Sequence, residues 1–156
     1  MPAFGEQFKR FFPGLIPIED ALWRGWLFGH EGDYDRFAYN VHVGQGVNVP
    51  ARPLSDDPEL DARLRAGYRQ WTQKKIDVVG YQGPAYTIFE VEERPGTRAL
   101  GQLLTYRDLL NALEPPTAPT TLALVALRLG QDMRQTFERQ GVTIYLVEPR
   151  PPLPPG

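Results

Sequence analysis

The chain has 156 residues, 42% of them hydrophobic and 12% aromatic, enough for one domain with a real core, and this excludes global disorder. It has no cysteine, which excludes disulfides and thiolate metal sites. A formal net charge of −2 counts against a dedicated nucleic-acid binder, whose phosphate contacts call for a basic surplus, although a local basic stripe stays open.

No apolar run approaches the roughly 20 residues of a membrane helix. Pro13, Pro17, Glu19 and Asp20 interrupt the N-terminal apolar residues, so no secretory signal is expected. Within residues 1–20, Phe4, Phe8, Phe11 and Phe12 have helical spacing. They predict a short amphipathic helix ending before Pro13, packed on the core or offered to a protein partner. Ala21 to Phe28 is dense in large side chains, with Trp23 and Trp26 around Arg24 and Gly25.

Arg36 to Val43 alternates and predicts a strand with Phe37, Tyr39, Val41 and Val43 on one face, Asn40 and His42 on the other. His30 and His42 lack a ligand-spaced partner and read as surface or hydrogen-bonded residues. Gly44-Gln45-Gly46 lacks the third glycine and the helix of a dinucleotide fingerprint, and reads as a strand exit. After a proline-rich loop over 48–58, Ser55 or Asp56 is expected to cap a helix over 58–73. Its buried positions would be Leu60, Leu64, Tyr68 and Trp71.

The stretch from Lys74 to Leu110 is the most informative. Alternation over Ile76–Val79 and Tyr86–Glu92 predicts two strands joined by a turn at Gln82-Gly83-Pro84-Ala85. Pairing about that turn sets Val79 opposite Ile88 and Asp77 opposite Glu90, with Cβ atoms roughly 5 Å apart. Glu92 falls on the same face as Glu90. Three carboxylates so close repel unless a cation lies between them, and an oxygen-preferring divalent ion such as Mg²⁺ or Mn²⁺ suits them.

Arg94-Pro95-Gly96 predicts a turn, and Thr97 an N-cap for a helix over 98–113 that carries Gln102 and Tyr106 on one side. The continuous apolar run over 121–129 predicts a buried central strand. A helix over 132–140 ends at Gly141, and a last strand covers 142–147. The tail over 149–156 favours polyproline II, either as a free end or as an arm on another subunit. The expected fold is α/β, a mixed central sheet with flanking helices in one domain over 1–148.

Asp77, then Glu90-Val91-Glu92, then a helix bearing Gln102-x-x-x-Tyr106, resembles the PD-(D/E)XK nuclease superfamily, in particular its RecB-like, Gln-x-x-x-Tyr branch. It is also similar to small phage-encoded members, which often carry a Trp-rich segment such as Trp23–Leu27 before the core. The resemblance covers about 72–147 and implies a restriction-endonuclease-like core of strand hairpin, helix, strand, helix and strand. It implies a metal-dependent phosphodiesterase acting on DNA, with Asp77, Glu90 and Glu92 as metal ligands for Mg²⁺ or Mn²⁺ and as catalytic groups. The family has lysine where this chain has Glu92, so Lys75 or Lys74 would supply the missing charge. Gln102, Tyr106, Arg98 and Lys74 would contact substrate. The lost lysine keeps an alternative open: a catalytically silent module, a phage structural or adaptor protein that binds protein partners or itself through residues 1–20 and the tail. The expected location is the host cytoplasm, or the virion for the structural alternative.

Overall fold

The computed structural model describes residues 2–3, 5–46 and 51–152, with the side chains of 69–72 excepted. Expectations for Phe4, for 48–50, for the Trp71 side chain and for the last four residues of the tail lie outside the described residues. The elements run α1 (Pro17–His30), β1 (Arg36–Val43), α2 (Pro58–Thr72), β2 (Lys74–Gln82), β3 (Ala85–Glu92), α3 (Thr97–Leu113), β4 (Thr121–Ala126), α4 (Gln131–Arg139) and β5 (Val142–Leu146). The strands form one five-stranded sheet in the order β1-β2-β3-β4-β5. β1, β2 and β3 pair antiparallel, and β3, β4 and β5 pair parallel. The fold is α/β, a mixed sheet with flanking helices. From β2 onward it follows the expected order of hairpin, helix, strand, helix, strand. No helix among the described residues is long and apolar enough to cross a membrane.

The β2–β3 hairpin has the expected register, with Gln82 opposite Ala85 and Val79 opposite Ile88. Its two-residue turn places Gly83 at φ 56°, a conformation that glycine adopts without Cβ strain. The Gly83 N–H donates to Asp35 Oδ2 at 2.7 Å.

Each face of the sheet has its own core. Ile76, Val79, Ile88, Leu122 and Leu124 meet Leu103, Tyr106 and Leu110 of α3 and Phe137 of α4. Val78, Phe89, Val91, Ala123 and Val125 meet Leu22, Trp23, Trp26 and Leu27 of α1. Trp23 and Trp26 stack with ring centroids 4.8 Å apart, and both present edges to Phe89. Gly25 lets the C-terminal segment pass, because a Cβ there would stand 2.1 Å from the Glu148 carbonyl oxygen. The Arg150 N–H donates to the Ala21 carbonyl, and its guanidinium lies over the Phe28 ring. The start of the proline-rich tail is therefore laid along α1 of its own chain.

Four local expectations change. The helix expected around Phe8 is a single 3₁₀ turn over Glu6–Phe8, and the helix of this region is α1, which starts with Pro17 at its first position. The Glu31 carboxylate accepts the N–H groups of Gly5 and Gln7 and so anchors this turn. Phe12 is buried while Phe8 and Phe11 are exposed. The cap of α2 is Asp57, whose Oδ1 accepts the Glu59 N–H at 3.0 Å, and Leu60 and Leu64 are exposed. Gly96 precedes α3, with Thr97 already helical and no side-chain cap. Lastly, β1 does not keep one face. Phe37 and Tyr39 pack on the α1 side, whereas Val41 and Val43 pack on the α3 side.

Candidate active site

That change of face builds the site. Asn40 sits at φ 52°, a left-handed conformation that asparagine tolerates better than most residues. Pairing is regular from Arg36↔Tyr81 to Tyr39↔Val78 and again from Val41↔Ile76 to Val43↔Lys74. Between these runs, Asn40 and Asp77 face each other at the point where both strands turn over. Val78 belongs to the α1 core and Ile76 to the α3 core. Asp77 does not continue a plain alternation. Its Oδ2 accepts the Val91 N–H at 3.1 Å, which ties its carboxylate to β3.

Glu90 lies on β3 between Phe89 and Val91 and points to the α3 side of the sheet, the side of Ile88. It is 7% exposed, and its Oε2 is buried with no hydrogen-bond partner. Only two other side-chain atoms among the described residues share that condition, Trp26 Nε1 and His42 Nδ1. The Glu90 side chain is close enough to Asp77 to act on its carboxyl. Burial pushes both carboxyls well above the ordinary carboxylate range, and the charges around them push the same way. For Glu90 these charges are Asp77, Glu92 and Glu19; for Asp77 they are Glu19 and Glu92, opposed by the Val91 N–H.

Glu19 is the residue that sequence reasoning passed over. It stands in the first turn of α1, where its Oε1 accepts the Ile16 N–H at 3.2 Å. This is one half of a capping box, and Pro17 followed by Glu19 is its sequence signal. Burial raises its pKa, against the Ile16 hydrogen bond, and the Glu92 charge adds to the rise. Gly14, just ahead of α1, lies so close to Asn40 that a Cβ would meet Asn40 Oδ1 at 2.9 Å. The approach to α1 thus touches the strand switch, and the helix start comes to the carboxylates.

The opposing positive charge is Arg98, in the first turn of α3. It lowers the pKa of Glu90 and Glu92, although burial keeps both raised. Lys74, Arg98, Gln102 and Tyr106 line one open cavity of about 330 Å³ together with Gly101 and Thr105. The four residues expected to contact substrate are therefore brought together. Tyr106 is buried, which with the Glu90 and Asp77 charges lifts its hydroxyl to about 12, and the Gln102 side chain opposes that as a hydrogen-bond partner. Lys75 is exposed on β2 across from His42, and it is Arg98, not Lys75, whose charge reaches Glu90 and Glu92.

Among the described residues, no group of three His, Asp or Glu side chains is arranged to hold a metal ion. The three-carboxylate cage of Asp77, Glu90 and Glu92 is not formed. The close pair is Asp77 and Glu90, with Glu92 and Glu19 acting on it through charge. The pair still fits a hard divalent cation in donor type, since Mg²⁺ is commonly held by one or two carboxylates and keeps its other positions for water and phosphate oxygens. The unpartnered Glu90 Oε2 is a free donor for such an ion.

No protein-family model and no curated protein sequence matches the chain. Two solved structures do. A repair endonuclease from Pyrococcus abyssi is 23% identical, over 48% of this chain and 33% of its own, with a TM-score of 0.41. The structure of an EndoMS–dsDNA2 complex is 14% identical, over 90% of this chain and 49% of its own, with a TM-score of 0.48. The chain spans less than half the length of either. Likeness at these scores decides nothing about chemistry, which rests on the carboxylates themselves.

Proposed function

We propose that the chain is a metal-dependent phosphodiesterase acting on DNA, of the PD-(D/E)XK kind, with Mg²⁺ or Mn²⁺ as its cofactor. One observation carries this reading: the buried, unpartnered Glu90 oxygen beside Asp77, in a site to which Glu19 and Glu92 add further negative charge. Such a group is costly to ionise without a cation and well suited to hold one.

Asp77 and Glu90 would hold the ion, and the Val91 N–H already orients Asp77. When bound, the ion would polarise a phosphoryl oxygen and acidify a water molecule. Glu92 occupies the position where the family has lysine, and Arg98 favours its ionised form. In this reading Glu92 takes a proton from the attacking water. The water oxygen forms the new bond to phosphorus, the bond to the leaving sugar oxygen breaks, and that oxygen takes a proton from solvent. Tyr106 stays protonated and can donate to a phosphate, with Gln102, Lys74 and Arg98 beside it in the same cavity. Lys75, at the exposed edge of β2, is left to contact the backbone of the substrate rather than to take part in the chemistry.

The test is cleavage of single- and double-stranded DNA in Mg²⁺ or Mn²⁺ against EDTA, beside Asp77→Asn. Metal-dependent cleavage that the variant loses by about a hundredfold or more supports the proposal. Equal behaviour of the two proteins would sink it and leave the fold to a binding or structural role.

A further inference from the structure

A second charged feature lies at the carboxyl ends of the parallel strands, outside the cavity of Lys74 and Arg98. Arg94 follows β3 and Arg128 follows β4. The Glu93 carbonyl accepts the N–H of Leu127 at 3.2 Å and that of Arg128 at 3.1 Å, so the two strand exits are tied together. As a result Arg94 and Arg128 line one cavity of about 290 Å³, with Pro95, Leu129 and Gly130 as its other walls. The acidic residues next to it in sequence, Glu93 and Asp132, do not line it. Among the described residues neither guanidinium is in an ion pair. Several other arginines are held: Arg24 by Asp20, Arg65 by Asp61, Arg107 by Asp108, Arg134 by Glu138, Arg36 and Arg150 over aromatic rings.

Two unneutralised guanidinium groups on one concavity repel each other, and an anion between them removes that cost. Their planar forks match phosphate oxygens in charge and geometry. In open α/β sheets, ligands bind outside the carboxyl ends of the strands, and this cavity lies there. Arg94 is two positions beyond Glu92, about 7 Å along the chain, which is on the order of one or two phosphate spacings from the carboxylates.

We infer that Arg94 and Arg128 form a subsite for a backbone phosphate of the DNA strand, flanking the carboxylates as Lys74 and Arg98 do elsewhere. The inference rests on the nuclease reading for the identity of the strand, but its test does not depend on cleavage. Anisotropy of a labelled oligonucleotide is measured on the full chain in EDTA over a series of NaCl concentrations. The proteins are the wild type, Arg94→Gln/Arg128→Gln and Arg94→Lys/Arg128→Lys. The glutamine pair is expected to weaken binding about tenfold or more and to reduce the slope of log K against log salt by about 1.5 to 2. The lysine pair is expected to keep the slope. An unchanged slope in the glutamine pair overturns the inference, as does a lysine pair that fails like the glutamine pair, since charge would then not be the cause. Displacement of the oligonucleotide by inorganic phosphate too dilute to screen charge would mark a free-anion site and overturn the DNA assignment. If the wild type cleaves DNA while the arginines prove neutral, the subsite fails alone. Should binding depend on the arginines without any cleavage, the subsite stands and the chemistry fails.

Discussion

Glu90→Gln separates a site built for a cation from an ordinary core. The carboxyl is 7% exposed, its Oε2 has no partner, and Asp77, Glu92 and Glu19 repel its charge. Burial first, then those charges, raise its pKa above the usual 4.5. A carboxyl whose folded value lies above its unfolded value holds its proton more tightly in the folded state. Its stabilising effect is full below the ordinary carboxylate range and is lost as pH rises through the folded value. Without a cation the wild type should therefore lose stability from the ordinary carboxylate range upward into neutral and alkaline pH. Gln keeps the shape and removes the charge. Leaving one buried polar group unsatisfied costs about 1–3 kcal/mol, and more when it is charged. Glu90→Gln is thus expected to be about 1–3 kcal/mol more stable than wild type at about pH 8 in EDTA. For a chain of this size that raises Tm by about 3–8 °C. At about pH 5, where Glu90 carries its proton, the difference should nearly vanish. Scanning calorimetry in EDTA at both pH values measures this. A Gln variant less stable at the higher pH, or the same difference at both, would refute the reasoning.

Two further substitutions test the supports of the site. Glu19→Gln keeps Pro17 at the start of α1 and removes the fourth negative charge, so cleavage is expected to fall by about 10- to 100-fold with the melting curve little changed. Steady-state kinetics showing full activity would contradict a part for Glu19. Gly25→Ala places a Cβ 2.1 Å from the Glu148 carbonyl oxygen, which must displace the C-terminal segment from α1. Overpacking of this kind costs about 1–3 kcal/mol, and an unaltered thermal melt would show that the segment is not held there.

The hairpin was legible because every local signal agreed. Alternation marked both strands, Gly83-Pro84 marked the turn, and together they set Asp77 across from Glu90. The parallel strand β4 was equally plain, since a strand buried on both faces reads as a continuous apolar run. Gln102 and Tyr106, four apart on α3, fall on one side of it as their spacing predicts. What was hidden depends on contacts far apart in sequence. The aromatic spacing near Phe8 suggested a helix, but only a single 3₁₀ turn forms, pinned by the distant Glu31 carboxylate and ended by extended Lys9. Nothing around Asn40 announces that β1 turns over there, opposite the Asp77 whose carboxylate reaches Val91 on another strand. Leu60 and Leu64 form an amphipathic stripe that the sheet does not cover. Glu19 carried a local capping signal, and only the folded chain shows that its charge also acts on Asp77 and Glu90.

The central claim is that Asp77 and Glu90 give up a proton to take a divalent cation. Carboxylates must be ionised to bind a metal, so binding and proton release are linked. Mn²⁺ is titrated into the wild type and into Asp77→Asn/Glu90→Gln by calorimetry at about pH 7, in two buffers of different ionisation enthalpy. The account predicts one bound ion with roughly one proton released, both lost in the double variant. Absence of binding to the wild type, or binding that releases no proton and survives both substitutions, would contradict it.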